Sequence, residues 1–513
     1  MPYKGQTYRI PFNVGGLKDD RNTDTIELGA MLIPTRNLNL HEGGRARRGG
    51  TAKVNATAIS GGPRVMGGYD FRLASGSSFQ VVATIDGKVW KTSTSTIKTG
   101  MSTANKFNFN VFNNLLYICD GDTSPQYWDG AAAGTSAIAN PAADWSGAAQ
   151  PFQMITHGRG NSRRNWAIFG NSVYASASGS GGEFITGVVK ITIDTEDTIG
   201  LTGGIEFGDT LFLFSQDNAY IIDDRSFDTA DWGYQKAPWV GGAAHWRLMA
   251  KVDNDVIIMS KDGTIYSLTA VQQYGNYKLA ELSRPSFIDR YIREEVNLSS
   301  IDDFHMVFDK EIRAVRIFLI RSGQTTVDSS LVYFVDKAPN EAWMIQDNQQ
   351  ATSGFSASCS FQVYASGRQR VYTGDYSGFV WKLEENNKND DSKSYYAGFK
   401  TVNFNMDNPR SLKFFRSAKI ITEPEGSTTQ IQVNWWVDGI FQGTILVSLD
   451  GGSSTYGSGQ YGTARYGGND FIENTFELGM AGKRIQFELF SNDVNEDFFL
   501  SQMLVDHEGI GGR

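Results

Sequence analysis

From residue 81 to residue 384 the chain repeats one pattern: an alternating apolar run, a turn holding Asp or Asn with Gly, and a second run ending near an aromatic residue. Period-two alternation gives a strand one buried face, and two such runs joined by a short Gly-containing turn predict a hairpin. The clearest copies are VVATIDGKVW (81–90), LLYICDGDTSPQYW (115–128), LFLFSQDNAYII (211–222), VIIMSKDGTIYSL (256–268) and VYTGDYSGFVWKL (371–383). Two weaker copies are WAIFGNSVYAS (166–176) and the longer pair RAVRIFLI (313–320) and LVYFV (331–335), whose connecting turn holds Gly323. The turn residues Gly87, Asn171, Asn218, Gly263 and Gly378 are spaced 84, 47, 45 and 115 residues apart, which resolves into a unit of about 40 to 60 residues, the period of a propeller blade. Each hairpin with flanking strands makes a four-stranded sheet, and such sheets hide their edges by closing radially. The predicted fold class is all-β, with a β-propeller of six to eight blades over residues 61–384. A sandwich also has regular short strands, but seven similar hairpins exceed what one sandwich uses.

The pattern changes on both sides of this region. AAAGTSAIANPAADWSGAAQ (131–150) has no alternation and reads as a long surface connection between blades. EENNKNDDSK (384–393) is polar and charged, which places a linker at 385–397. Beyond it FKTVNFNM, KFFRSAKIIT, IQVNWWVDG, GTILVSL, KRIQFELF and FFLSQMLVD alternate cleanly, predicting a C-terminal antiparallel β-sandwich over 398–513. Residues 1–60 hold a Gly15-Gly16 turn, a strand-poor middle and GGRARRGG (43–50), which read as an extended arm or platform.

Composition narrows the class. With 513 residues the chain exceeds the size at which one core stops growing. Hydrophobic content of 40% and aromatic content of 12% exclude a disordered chain. Glycine is abundant at 56 and proline modest at 12, so the turns rest on glycine. The net charge of −9 argues against binding nucleic acid over a broad surface, while leaving room for a wall that repels DNA. Cys119 and Cys359 are the only cysteines, 240 residues apart, too few for a disulfide framework. There is no 18-residue apolar run, and MPYKGQTYRIPF lacks the apolar core of a signal peptide, so cytoplasmic synthesis and assembly are expected.

The segment IPFNVGGLKDDRNTDTIELGAMLIPTRNLNLHEGGRARRGGT (10–51) resembles the N-terminus of podovirus tail nozzle proteins, the tail tubular protein B and packaged-DNA-stabilisation group. Gly15, Gly16, Asn37, Gly44, Arg47, Arg48, Gly50 and Thr51 match the family pattern of a glycine pair, an asparagine and a Gly-plus-Arg-Arg turn. Gly49 departs from it, standing where the family often has proline. The resemblance is strong over about 50 residues, and across the rest the weakly alike hairpins and a C-terminal sandwich carrying STYGSGQYGTARYGG are similar in general style. It implies a virion tail protein that forms a hexameric ring beneath the portal and adaptor rings, beside the tail fibres. Double-stranded DNA would leave through that ring without sequence recognition, and the ring would act as scaffold and gate, with possible contact to the host surface and with no catalytic activity or cofactor.

Arg45, Arg47 and Arg48 among four glycines are candidate assembly contacts, since guanidinium forks pair with carboxylate and phosphate alike; a DNA contact and a solvated loop are the alternatives. Arg163 and Arg164, with Arg159, His157 and Trp166 nearby, form a second basic loop that reads as a ring interface or a plain loop. Tyr456, Tyr461 and Tyr466, each followed by glycine, make a candidate tip or recognition loop, or simply pack on the sandwich. DGKVWKT at Asp86 resembles the aspartate box of sialidase propellers only superficially, because Asp86 and Gly87 adjoin, and a type I′ turn is expected there. The five histidines show no metal-ligand spacing, no P-loop or nucleophile-elbow motif occurs, and no calcium loop has the required spacing. No catalytic, cofactor or metal residue is therefore nominated. The rival functions are a host-glycan-binding tail module and a polysaccharide-degrading propeller enzyme, although no pair of carboxylates stands out for the latter.

Overall fold

All seven predicted hairpins recur in separate antiparallel sheets in the computed structural model, six as the two central strands and the one at 256–268 as the middle and outer strands among the described residues. It describes residues 5–18, 29–40, 43–159, 162–196, 199–269, 281–286, 288–347, 356–425, 429–450 and 471–510. Blades 1 to 7 span residues 65–98, 108–137, 153–192, 203–240, 249–267, 305–347 and 357–385. Six are four-stranded and blade 5 has three strands among the described residues. The first strand of each blade faces the axis, and these inner strands meet around a closed ring, with the turn Trp246–Leu248 bridging blades 4 and 5. Closure between blades 1 and 7 is tight: a Cβ at Gly68 would lie 2.3 Å from the Phe361 ring.

The turn at Asp86-Gly87 is not type I′. Only Gly87 has positive φ, at +71°, and its N–H donates to the Thr84 carbonyl at 3.0 Å, with Thr84 paired to Lys88. This is a three-residue hairpin loop that ends on a left-handed glycine. The connection 131–150 is also less superficial than its composition implied. It supplies the outer strand Ser136–Ala137 of blade 2 and buries Trp145, whose ring centroid lies 4.7 Å from that of Phe184.

The N-terminal segment is not an arm. Gly50–Lys53 is the outer strand of blade 7, pairing Trp381 with Lys53 and Lys382 with Ala52, so the start of the chain closes the propeller. The strands before it complete the sandwich. One sheet runs Ile472–Gly482, Lys413–Thr422, Phe499–Gly509, Arg45–Arg47 and Leu38–Leu40, with Gln6–Pro11 also pairing with Phe499–Gly509. The other runs Leu17–Lys18, Met31–Arg36, Ala397–Thr401, Ile485–Ser491, Gln430–Val437 and Ile440–Ser448. Ile10, Phe12, Met31 and Leu38 share one core with Phe399, Phe415, Phe487 and Met503. The physical reason is coverage: the C-terminal strands alone leave these apolar faces exposed to water. The same core takes in Ala314, Val332, Phe334 and Met344 of blade 6, so sandwich and propeller share a dry contact.

The polar stretch proposed as a linker lies inside this junction. Glu384, Asn389 and Asp390 are buried there, because their carboxylates and carbonyls serve as acceptors for Arg48, Gly49 and Thr51, while the Asn387 carbonyl accepts from the Gly50 N–H at 2.8 Å.

Candidate functional site

Arg45, Arg47 and Arg48 are 1%, 0% and 2% exposed, which removes them as contacts to a neighbouring ring or to DNA. Each is built into the junction. Arg48 forms a two-pronged pair with Asp390, at 3.0 and 2.6 Å, donates from Nε to Asn37 Oδ1 at 3.1 Å, and lies 3.9 Å from the Tyr395 ring centroid. Burial opposes its charge, but Asp390 and Tyr395 outweigh that and hold its pKa above the ordinary arginine value. Asn37, in a left-handed conformation at φ +62°, donates to Asp347 Oδ1 and to the Tyr396 carbonyl, both at 2.7 Å. Arg47 stacks on Tyr395 and donates to the carbonyls of Tyr395 and Glu496. Arg45 lies over Phe399 and donates to the carbonyls of Gly29 and Val14; with no carboxylate beside it among the described residues, burial pushes its pKa down to about 9. Gly49 explains its own departure from the family pattern. Its N–H donates to Glu384 Oε2 at 2.7 Å, which proline could not do, and a Cβ there would meet Glu384 Cα at 2.6 Å.

The second basic loop has a different fate. Arg163 is exposed, whereas Arg164 is buried, donating to the carbonyls of Ser176 and Gly187 with its guanidinium 5.1 Å from the Trp232 ring. Arg159 pairs with Asp209 at the surface. The loop walls a cleft of about 840 Å³ between blades 3 and 4, with the fully exposed Phe227 among its lining residues. Within the cleft His157, 2% exposed, sits between Glu206 at 3.5 Å and Asp224 at 3.2 Å. Burial would lower its pKa, but the two carboxylates prevail and raise it to about 9. Trp166 and Trp232 stack beside it at 5.7 Å. Glu206, Asp224 and Trp232 were not singled out in the sequence, since they come from a different blade. Tyr456, Tyr461 and Tyr466 lie outside the described residues.

The propeller axis holds a feature that no local motif announces. At the face where the inner strands begin, a cavity of about 800 Å³ opens, lined by Arg64, Lys106, His245, Trp246 and Asp303 among others. All five lie within two residues of the start of an inner strand or of its preceding turn, so the pattern is readable only once the blades are in register. Further along the axis, residues including Phe107, Trp246, Arg247, His305 and Met306 surround a smaller space of about 220 Å³. Beyond it a third cavity, about 710 Å³, is lined by the later parts of the inner strands of blades 1, 6 and 7 and by residues 249–251.

Charge dominates the first cavity. Asp303 Oδ1 accepts from both Lys106 Nζ at 2.5 Å and Arg64 Nη2 at 2.6 Å. Although burial opposes its charge, these two cations pull the Asp303 pKa down to about 2. Burial, then repulsion from Arg247 and Arg64, pushes Lys106 down to about 8 despite Asp303. Burial, aided by Arg247 and Lys106, takes His245 down to about 3, and His305 is likewise held well below its ordinary value. Both imidazoles are neutral at pH 7.

Cys119 and Cys359 are buried free thiols. Among the described residues no group of three or more His, Cys, Asp or Glu is arranged to hold a metal ion, and no helix is long and apolar enough to cross a membrane.

These features define a β-propeller joined to a β-sandwich. No family model matches the sequence, and no curated protein matches it. Among solved structures, the chain is similar to YCF48 from Cyanidioschyzon merolae, at 9% identity and TM-score 0.39, covering 65% of this chain and 98% of that one. It is also similar to YCF48 bound to D1 peptide, at 9% identity and TM-score 0.40, covering 66% and 95%. A third is the extracellular domain of the putative hybrid two component system BT3049 from B. thetaiotaomicron, at 9% identity and TM-score 0.43, covering 77% and 49%. These likenesses concern the fold alone.

Proposed function

We propose that this chain is a structural subunit of the distal tail of a short-tailed phage, a nozzle or hub protein that assembles as a ring through which the genome leaves. The observation that carries this reading is the structural use of the residues that resemble the nozzle family. Gly16 would place a Cβ 2.4 Å from the Glu341 carbonyl of blade 6, Gly44 one 2.2 Å from the Leu500 carbonyl, and Gly50 one 2.1 Å from the Asn389 carbonyl. Of these and the other matching positions, Gly16 and Asn37 touch blade 6 directly, Arg48 and Gly50 hold the segment that leaves blade 7, and Gly44 and Arg47 pack within the sandwich beside them. The resemblance therefore follows the clamp that fixes the two-domain shape rather than a surface loop. A stiff wedge of this kind suits a ring, in which each copy must present the same two faces at a fixed angle.

Two further features agree with this reading. Ile440–Ser448 and Ile472–Gly482 are edge strands of the two sandwich sheets among the described residues, and Ile440, Phe441 and Leu446 are exposed on the first of them, a surface suited to a neighbouring subunit. The propeller axis narrows between aromatic side chains, so a duplex would pass between copies and not through the propeller. The net charge of −9 lets a lumen wall repel the polyanion weakly, so that DNA slides. The test is reconstitution: mixed with the portal and adaptor rings of the same virion, the protein should add a hexameric ring visible by electron microscopy. A chain that remains a free monomer in that mixture overturns the proposal.

A further inference from the structure

The axis of the propeller concentrates positive charge in a place where it is costly. Arg247 is only 7% exposed; its Nη2 donates to the Ser358 carbonyl at 2.9 Å, while Nη1 has no hydrogen-bond partner among the described residues. Nε of Arg64 is likewise buried and without a partner. Arg247, Arg64 and Lys106 share one close carboxylate, Asp303, which pairs directly with only two of them. Burial and mutual repulsion lower the pKa of Arg247 to about 10 and that of Lys106 to about 8. A buried guanidinium with a free N–H and no paired anion opposes folding, so its presence in an accessible cavity calls for a ligand that completes it.

We propose that the axial neck is a binding site for a compact oxyanion, phosphate or a short dicarboxylate, held by Arg247 at the neck and by Arg64 and Lys106 at its rim. Three features set the ligand class. The free donors are guanidinium N–H groups, which match carboxylate and phosphate oxygens. The walls at the neck include Trp246, Phe107 and Met306, which exclude water and strengthen each charged contact. The neck space of about 220 Å³ accommodates a small anion and is too narrow for a folded partner. His245 adds a neutral donor: its Nδ1 accepts from the Arg247 backbone N–H at 3.1 Å, which leaves the proton of the neutral ring on Nε2. An arriving anion takes up the N–H groups of Arg247 and Arg64 that have no partner among the described residues and draws Lys106 away from Asp303. This site is independent of ring assembly and stands or falls separately from it.

The experiment uses the full chain, with calorimetric titration and thermal unfolding in phosphate, in succinate and in chloride of equal ionic strength. Wild type should bind one phosphate or succinate saturably, with a matching rise in Tm. Arg247→Met should fold with an unchanged or higher Tm, because an unpaired buried charge is gone, yet lose the anion-dependent rise. Lys106→Gln should weaken binding at least tenfold. Succinate stays fully ionised between pH 7 and pH 9, so its affinity should fall over that range as Lys106 loses its proton, facing Arg64, Arg247, Asp303 and the neutral His245. Equal, unsaturable rises in Tm for wild type and both variants would be a general salt effect and would overturn the proposal. Binding of an oligoglutamate peptide with no response to either small anion would overturn it too, assigning the cavity to an acidic protein segment.

Discussion

At the scale of single residues, burial decides what an ionisable side chain does here. The arginines at 45, 47 and 48 looked like surface contacts because three cations among four glycines is a common exposed composition; the partners Asp390 and Tyr395 come from a distant segment that no local pattern ties to them. His157 offers a direct check on this kind of buried charge. Its pKa is raised from 6.5 to about 9 in the folded state, where burial is overcome by Asp224 and Glu206. A raised folded pKa means that the folded chain binds the extra proton, so the stabilisation is complete below pH 6.5 and is lost as the pH rises through about 9. The size is about 3 kcal/mol at most, from 1.36 kcal/mol per pKa unit. Lys106 acts with the opposite sign: its folded pKa of about 8 lies below the ordinary lysine value, so stability is regained above pH 8 as it sheds its proton more readily folded than unfolded. Denaturant unfolding from pH 6 to pH 8 should therefore show falling stability in wild type and a flatter profile in His157→Gln. Parallel profiles for the two proteins would show that the carboxylates do not hold His157 charged.

At the scale of elements, the hairpins were legible because each carries its own alternation and its own turn within a dozen or so residues. Gly87 illustrates the limit. The Asp-Gly pair marked the turn, but whether one or both residues adopt positive φ depends on the pairing of Thr84 with Lys88, which the dipeptide does not encode. A Cβ at Gly87 would strain a backbone at φ +71° and come within 2.5 Å of the Met101 carbonyl. Gly87→Ala should thus destabilise the protein by about 1 to 3 kcal/mol, measured by chemical denaturation. A change below about 0.5 kcal/mol would mean that blade 1 yields locally at this turn. The strands that sequence reasoning missed lack such local marks. Gly50–Lys53 is four residues with no alternation, and it is a strand only because the edge of Arg368–Asp375 and Val380–Glu385 awaits a partner. The N-terminal sandwich strands were obscured in the same way: Pro34 and the paired glycines interrupt the periodicity, although Ile10, Phe12, Met31 and Leu38 are all buried. The axial cations were illegible for a related reason. Arg64, Lys106 and Asp303 are far apart in sequence and converge only after the ring closes.

At the scale of the whole molecule, the boundary drawn from the sequence at residues 385–397 separates a propeller from a sandwich, whereas the path of the chain ties the two together. Residues 5–53 contribute strands to both sandwich sheets and the closing strand of the propeller, and the core that fills the sandwich runs without a break into blade 6. Neither unit is complete without the same short N-terminal stretch, so calorimetry of the full chain should give one cooperative transition, with the calorimetric and van't Hoff enthalpies in agreement. The Arg48–Asp390 pair lies at the centre of that coupling, joining the start of the Gly50–Lys53 strand to the segment that leaves blade 7. Removing one member leaves the other buried and uncompensated, which costs about 3 to 5 kcal/mol. Arg48→Met should lower Tm and split the single transition in two, the sandwich separating from the propeller as the shared N-terminal strands lose their anchor. Asp390→Asn combined with Arg48→Met should recover part of the lost stability, since no buried charge is then left without its partner. Two transitions in the wild-type protein would instead show that the N-terminal strands couple the domains only weakly, and would weaken the case for a rigid ring subunit.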